Sequence, residues 1–346
     1  MTEQEISIQE KLDLVKRNTE EIIGSEDLVK LLQEKEQPVV YWGTAPTGRP
    51  HAGYLFPALK IADLLKAGFK VKILIADLHA ALDNTPWIKL EKRYDYYSKI
   101  IPLLIQAIGV DTKNLEFVKG SEIQLKPEYM FDVLQLSSLS SIRDSTKAAS
   151  EVVKQDENPR VSGLIYPLMQ AVDEQYLNVD AQLGGTDQRK IMVLARENLP
   201  KIGYNSRIEI LHPLIPGLIG KKMSASNEKS KIDLLDSPED IKNKLKKADC
   251  VEGDTDNGVM AFLKFVIMVI KGDKKEKFVV ERDEKYGGNL EYDNYEEIEK
   301  DFIDKKLHPL DLKNALAKEL SNLLEHIRNN QEELSELSEK GWDGIK

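Results

Sequence analysis

Apolar residues near the start of the chain fall at Ile6, Leu12, Leu14, Val15, Ile22 and Ile23. That spacing predicts helix with one buried face over the first ~35 residues. Pro38 to Gly43 (PVVYWG) is a short continuous apolar run and reads as a buried strand. Thr44 to Pro50 follows as a turn-rich loop carrying Pro46, Gly48 and Pro50. A helical stretch then runs to Ala67, with Gly68 as its stop. Val71 to Ala76 is the next strand, ending at Asp77-Leu78-His79. Strand, helix and adjacent strand in this order make a right-handed parallel unit. Leu115–Lys119, Val179–Gln182 and Ile208–Leu211 read as further strands. The pattern predicts an α/β fold with a doubly wound parallel sheet, whose ligands sit beyond the carboxyl ends of the strands.

Near residue 235 the strand pattern stops. Ser237 reads as a helix N-cap, with Pro238 at the first helical position and Glu239 and Asp240 in the first turn. Beyond it the chain is mostly helical, apart from a hairpin expected around Lys285–Asn289. We therefore expect two domains, 1–235 and 236–346, and find no internal repeat. Within Leu164–Tyr176 the helical period puts Tyr166, Gln170 and Asp173 on one stripe and Leu164, Leu168 and Val172 on another. The apolar stripe faces a core. Periodicity alone leaves open whether the polar one faces water or a ligand.

Composition changes this picture little. Apolar residues are 41% of 346, enough for two cores. The net charge is −10, with 19 basic against 27 acidic side chains after residue 235. A backbone-driven nucleic-acid binder should be basic, so any RNA contact must rest on local patches and base contacts. The run Lys242–Lys247 is one such patch, although a solvated helix face is the plainer reading. Cys250 is the only cysteine, and the five histidines lack the spacing of a helical zinc motif. We expect no tightly bound metal. The acidic, amphipathic start does not fit a signal peptide, and no apolar run approaches the ~18 residues of a membrane span. The expected setting is cytoplasmic.

The loop after the first strand has neither the Gly-x-Gly-x-x-Gly fingerprint nor a P-loop lysine. It reads Thr47-Gly48-Arg49-Pro50-His51-Ala52-Gly53-Tyr54 and resembles the His-Ile-Gly-His signature of class I aminoacyl-tRNA synthetases. Gly53 would let a nucleotide approach the helix start, where phosphate is favoured. A second segment, Gly220-Lys221-Lys222-Met223-Ser224-Ala225-Ser226, resembles the Lys-Met-Ser-Lys-Ser loop of the same enzymes. Tyr54 stands where that family has its second histidine, and Ala225 where it has its second lysine.

Over nearly the whole chain the sequence is similar to tyrosyl-tRNA synthetases of the archaeal and eukaryotic type. The resemblance implies a Rossmann-like catalytic domain and a helical anticodon-binding domain. It also implies activation of tyrosine by ATP with Mg²⁺, followed by transfer to the terminal adenosine of a tRNA. His51, Gly53, Lys221, Lys222 and Ser224 match the catalytic positions. Tyr41, His79, Tyr166, Gln170, Asp173 and Gln188 match tyrosine-binding ones, with Tyr41 and Asp173 at the phenol hydroxyl. Gly43, Thr44 and Asp187, with His51, Gly53 and Lys222, match the ATP site. Lys147 and Arg189 match contacts to the first acceptor base pair, cytosine–guanine in this branch. Tyr286, His308 and Asp311 match contacts to the first anticodon base. The connecting region 115–156 resembles the part that pairs subunits, implying a homodimer. The nearest rival is a tryptophanyl-tRNA synthetase, against which Tyr41 and Asp173 speak, since they suit a phenol better than an indole. A non-catalytic relative is a second rival, against which His51, Gly53, Lys222 and Ser224 speak.

Overall fold

The computed structural model describes residues 6–153, 160–219 and 231–342. Its centre is a sheet of six strands: β1 (Glu21–Ile23), β2 (Val39–Thr44), β3 (Lys70–Ile75), β4 (Leu115–Lys119), β5 (Ala181–Gly185) and β6 (Ile208–His212). Their spatial order is β1-β6-β5-β2-β3-β4, and every pair is parallel except β1 with β6. The chain leaves β2 toward β3 and β4 on one side, then returns to lay β5 and β6 on the other. The order therefore reverses between β2 and β5, which opens a crevice at their carboxyl ends.

The N-terminal region differs from the single helical pattern expected. Helices Ile8–Lys16 and Ser25–Glu34 are separated by the edge strand β1. Asn18 (φ 53°), just past the end of the first helix, and Gly24 (φ 85°), immediately before the second, both adopt the left-handed conformation and so break the helical path. Ile22 and Ile23 thus pair with β6 rather than share a helix face with Leu12 and Val15. The strand expected at Val179–Gln182 lies two residues later, at Ala181–Gly185.

Helix Leu55–Lys66 ends at Gly68 (φ 89°), as its sequence predicts. Ser237 caps helix Pro238–Lys246, its side chain accepting from the Asp240 N–H. Helices Pro309–Arg328 and Gln331–Trp342 follow, and a short antiparallel pair, β7 (Phe278–Val280) and β8 (Leu290–Tyr292), supplies the expected hairpin. One apolar core runs through both parts, joining Leu59, Ile73 and Leu104 to Phe262, Leu316 and Leu320. Helix Leu90–Ala107 packs on both C-terminal helices. No helix among the described residues is long and apolar enough to cross a membrane.

Candidate active site

A cavity of about 330 Å³ opens at the crevice between β2 and β5. Gly43 and Thr44 from β2, His51 and Gly53 from the loop beyond it, and Asp187 from the turn after β5 line one part. Tyr41, His79, Tyr166, Gln170, Asp173 and Gln188 line the other. The structure thus brings together every described residue expected at the tyrosine and ATP sites. Lys221, Lys222 and Ser224 lie outside the described residues.

The stripe left ambiguous by periodicity faces the cavity. On helix Ser162–Tyr176, Tyr166, Gln170 and Asp173 are all buried yet line it. Asp173 Oδ1 accepts from Gln124 Nε2 at 2.8 Å and from the Tyr129 hydroxyl at 2.8 Å. Gln124 Nε2 is also 3.2 Å from His79 Nδ1, and the His79 ring meets the edge of Tyr166 at 4.5 Å. These contacts fix Asp173 in one orientation before any ligand arrives. Burial raises its pKa to about 7, while the two hydrogen bonds hold it down. The Tyr41 hydroxyl is buried with no hydrogen-bond partner among the described residues. Burial and then the Glu174 charge push that phenol well above its usual range, so it stays protonated. Gln170 Nε2 donates to Gln188 Oε1 at 2.9 Å, joining the helix to the turn after β5. Gly184 and Gly185 make that turn possible: a Cβ would stand 2.5 Å from Met192 Cε and 2.6 Å from Asp187 Oδ1 respectively.

At the other end His51 is the N-cap of a short turn and accepts the Gly53 N–H on Nδ1 at 3.1 Å. That bond assigns the proton to Nε2, leaving Nε2–H as a donor. Burial, with the nearby Lys231 charge, lowers the His51 pKa to about 4, so the ring is neutral at physiological pH. Tyr54, which stands in place of a second histidine, bonds Thr44 and Tyr97 through its hydroxyl at 3.2 Å each. Its role is to brace the loop against β2 and helix Leu90–Ala107.

Several lining residues have no signal in the sequence pattern. Thr47, Asp83 and His212 border the cavity, and Gln124 and Tyr129 grip Asp173 from behind. Behind the phenol end, Glu174 and Glu209 are wholly buried, and none of their carboxylate oxygens has a hydrogen-bond partner among the described residues. Register places Glu209, Gln182 and Tyr41 in one row across β6, β5 and β2. Burial raises both carboxyls, Glu174 to about 8, against the attraction of Arg207. A carboxyl raised on folding favours the folded state most below its unfolded pKa, and this contribution is lost as pH rises through the folded value. Thermal stability should therefore fall between about pH 4.5 and pH 8. Glu174→Gln should flatten that slope in melting curves recorded across the range; an unchanged slope would show that this carboxyl does not hold its proton.

Elsewhere, Lys147 and Arg189 border one groove with Lys190 and Lys201, and Arg189 is held by Glu21 at 2.6 and 2.8 Å. His308 caps helix Pro309–Arg328 through Nδ1, accepting from the Leu310 N–H. Tyr286 is 65% exposed in the β7–β8 connection. Arg282, in the same connection, donates to the Lys306 carbonyl at 3.2 Å and so ties this loop to the segment before His308. Asp311 lies in the first turn of the capped helix. No group of three or more His, Cys, Asp or Glu side chains among the described residues could hold a metal ion.

The family model described as class I tRNA synthetases (W and Y) matches residues 33–325. A cytoplasmic tyrosine–tRNA ligase of Xenopus tropicalis is 50% identical over 340 residues, 96% of this chain and 63% of the relative. The chain thus spans less than two thirds of that relative's length. The cytoplasmic tyrosine–tRNA ligase of Saccharomyces cerevisiae is 46% identical over 345 residues, 96% of this chain and 88% of its own. The structure of an Archaeoglobus fulgidus tyrosyl-tRNA synthetase complexed with L-tyrosine superposes with a TM-score of 0.86 at 42% identity, covering 93% of this chain and 99% of that one. With the site geometry and these matches together, the chain belongs to the class I tRNA synthetase family that serves tryptophan and tyrosine.

Proposed function

We propose that the chain is a tyrosine–tRNA ligase, which joins tyrosine to ATP as tyrosyl-adenylate and then transfers it to its tRNA. The observation that carries this reading is the buried polar floor of the cavity: Tyr41 with a hydroxyl unpartnered among the described residues, together with a preset Asp173. An indole would leave the two groups incompletely paired, whereas a phenol hydroxyl can donate to Asp173 and accept from Tyr41.

In the first step an oxygen of the tyrosine carboxylate attacks the α-phosphorus of MgATP, and the bond to the β-phosphate oxygen breaks with release of pyrophosphate. The nucleophile is already ionised, so positioning and charge stabilisation suffice. Tyr166 and Gln170 hold the amino group, Gln188 is a further tyrosine contact bonded to Gln170, and His51 donates Nε2–H to a phosphate oxygen. Gly43, Thr44, Gly53 and Asp187 line the nucleotide end. The family resemblance assigns the departing pyrophosphate to Lys221 and Lys222, with Ser224 on the same loop. In the second step the 2′-hydroxyl of the terminal adenosine attacks the tyrosyl carbonyl and AMP leaves.

The groove of Lys147 and Arg189 is read as the acceptor-stem site, and Tyr286, His308 and Asp311 as the anticodon site, within the proposed 236–346 domain. Unpaired bases are read by edge bonds and aromatic faces, which an acidic domain can provide. A second copy of the chain is the proposed partner of the connecting region. There Leu125, Phe131, Leu134 and Ile142 are 61–74% exposed, apolar side chains of the kind that a dimer interface would cover. Relatives named cytoplasmic support a cytosolic setting.

Charging of tRNA with labelled tyrosine tests the reading. The native chain should charge tRNAs with a cytosine–guanine first pair and guanine at the first anticodon base; failure with every tRNA would contradict it. Asp311→Ala should narrow the preference for guanine at that base, since loss of one edge contact costs about 1–3 kcal/mol. An undiminished preference would leave Asp311 only its helix-dipole role.

A further inference from the structure

Helix Leu90–Ala107 turns Arg93, Tyr96 and Tyr97 toward the loop that follows β2. The Tyr97 hydroxyl donates to the Gly48 carbonyl at 2.7 Å. Arg93, 9% exposed, reaches further along the same loop. Its Nη1 donates to the carbonyls of Pro46 at 3.2 Å and Thr47 at 2.5 Å, and lies 3.2 Å from Thr85 Oγ1. Its Nε donates in another direction, to the carbonyl of Gly341 at 3.1 Å. The guanidinium also lies 5.0 Å from the centre of the Trp342 ring, whose edge meets Tyr96 at 5.2 Å. One turn earlier, Lys89 Nζ donates to the Lys340 carbonyl at 2.9 Å. Both contacts satisfy carbonyls that the end of helix Gln331–Trp342 leaves unpaired. A Cβ at Gly341 would already touch the arginine stem, 3.4 Å from Arg93 Cγ, so the extra branches of a larger side chain there would press on it.

Neither Gly341 nor Trp342 borders the cavity, whereas Thr47 does. A single planar fork therefore joins the last turn of the C-terminal helix to the backbone at the cavity's edge. Pure packing would explain a buried arginine stacked on tryptophan. It would not require the donors to be divided between two segments nearly the whole chain apart.

We propose that Arg93 is a positioning residue through which the end of helix Gln331–Trp342 holds the Pro46–Thr47 backbone in the geometry that ATP requires. This rests on the reading of the cavity as an ATP and tyrosine site. Displacement of such a loop by about an ångström costs about 10²-fold. Tyrosine meets the opposite end and does not sense it.

The test measures MgATP and tyrosine affinities by calorimetry, with kcat and KM for ATP from pyrophosphate exchange. Arg93→Ala should weaken ATP binding and lower kcat/KM for ATP by about 10²-fold, with tyrosine affinity unchanged. Arg93→Lys, which keeps the charge and loses the fork, should fall between. Gly341→Val should act in the same direction, and the double variant should be little worse than Arg93→Ala alone, because both cut one connection. Should Arg93→Ala fail to fold, Trp342→Ala replaces it in the cycle with the same expectation. Unchanged ATP affinity, strictly additive losses, or equal losses for ATP and tyrosine would overturn the proposal. Native protein that binds ATP but shows no tyrosine-dependent exchange would instead overturn the ligase reading, and the ATP-affinity arm would still decide the role of Arg93.

Discussion

Asp173→Ala should remove most of the preference for tyrosine over phenylalanine. When phenylalanine enters the native pocket, Asp173 and the Tyr41 hydroxyl, both buried, are left without the partner that a phenol supplies. Buried polar groups stranded in this way reject a ligand strongly. The selectivity expected of the native chain, about 10⁴- to 10⁵-fold, is taken from tyrosine enzymes of this family rather than from the geometry. The variant should fall by orders of magnitude, mostly through weaker tyrosine rather than stronger phenylalanine binding. Gln124 and Tyr129 donate to the same carboxylate, so Asp173→Ala also frees two donors that can turn toward the substrate hydroxyl. Asp173→Asn, which keeps the volume, separates this effect from charge. Because burial lifts the Asp173 pKa to about 7, the native carboxylate is its stronger, ionised acceptor above that pH. Tyrosine affinity should therefore weaken as pH falls through 7, and Asp173→Asn should lose the dependence. Undiminished discrimination in Asp173→Ala would remove this residue from the phenol site.

His51→Ala should slow formation of the adenylate by about 10²- to 10³-fold while leaving tyrosine affinity intact, because one donor to charge that develops only in the transition state is lost. His51 also caps the turn that follows it, so His51→Ala removes the cap along with the phosphate donor. His51→Asn separates the two: asparagine caps as well as histidine but lacks the far-side N–H. A variant that melts like the native protein and still reacts slowly assigns the loss to the phosphate contact. With a pKa of about 4, native His51 stays neutral, and the single-turnover rate should show no step from this ring between pH 5.5 and 8. Native-like rates in both variants would contradict the assignment.

Much of the site was legible because it obeys short-range rules. Tyr166, Gln170 and Asp173 fall on one helical stripe, and Thr44 to Gly53 follow a strand whose carboxyl end must face the crevice. Motif resemblance then pointed, where periodicity could not, to the face of that helix that lines the cavity. The rest depends on contacts made across long stretches of chain. Gln124 and Tyr129 lie more than 40 residues before Asp173, on helices whose own patterns say nothing about a carboxylate. Glu174 sits next to Asp173 on the helix, but its buried neighbours are Tyr41 on β2 and Glu209 on β6. The first residues were read as one helical pattern because Ile22 and Ile23 continue the apolar spacing; left-handed Asn18 and Gly24 break it, and the edge of β6 gives the short segment its hydrogen bonds. The fork of Arg93 was invisible because a lone arginine on an amphipathic helix ordinarily faces water.

The proposed ligase reading requires this pocket to select tyrosine for activation by ATP. Tyrosine-dependent exchange of labelled pyrophosphate into ATP, run in parallel with phenylalanine and tryptophan, tests it without any tRNA. Rapid exchange with tyrosine and almost none with the other two is the expected result; exchange driven by tryptophan, or by no amino acid at all, would contradict it.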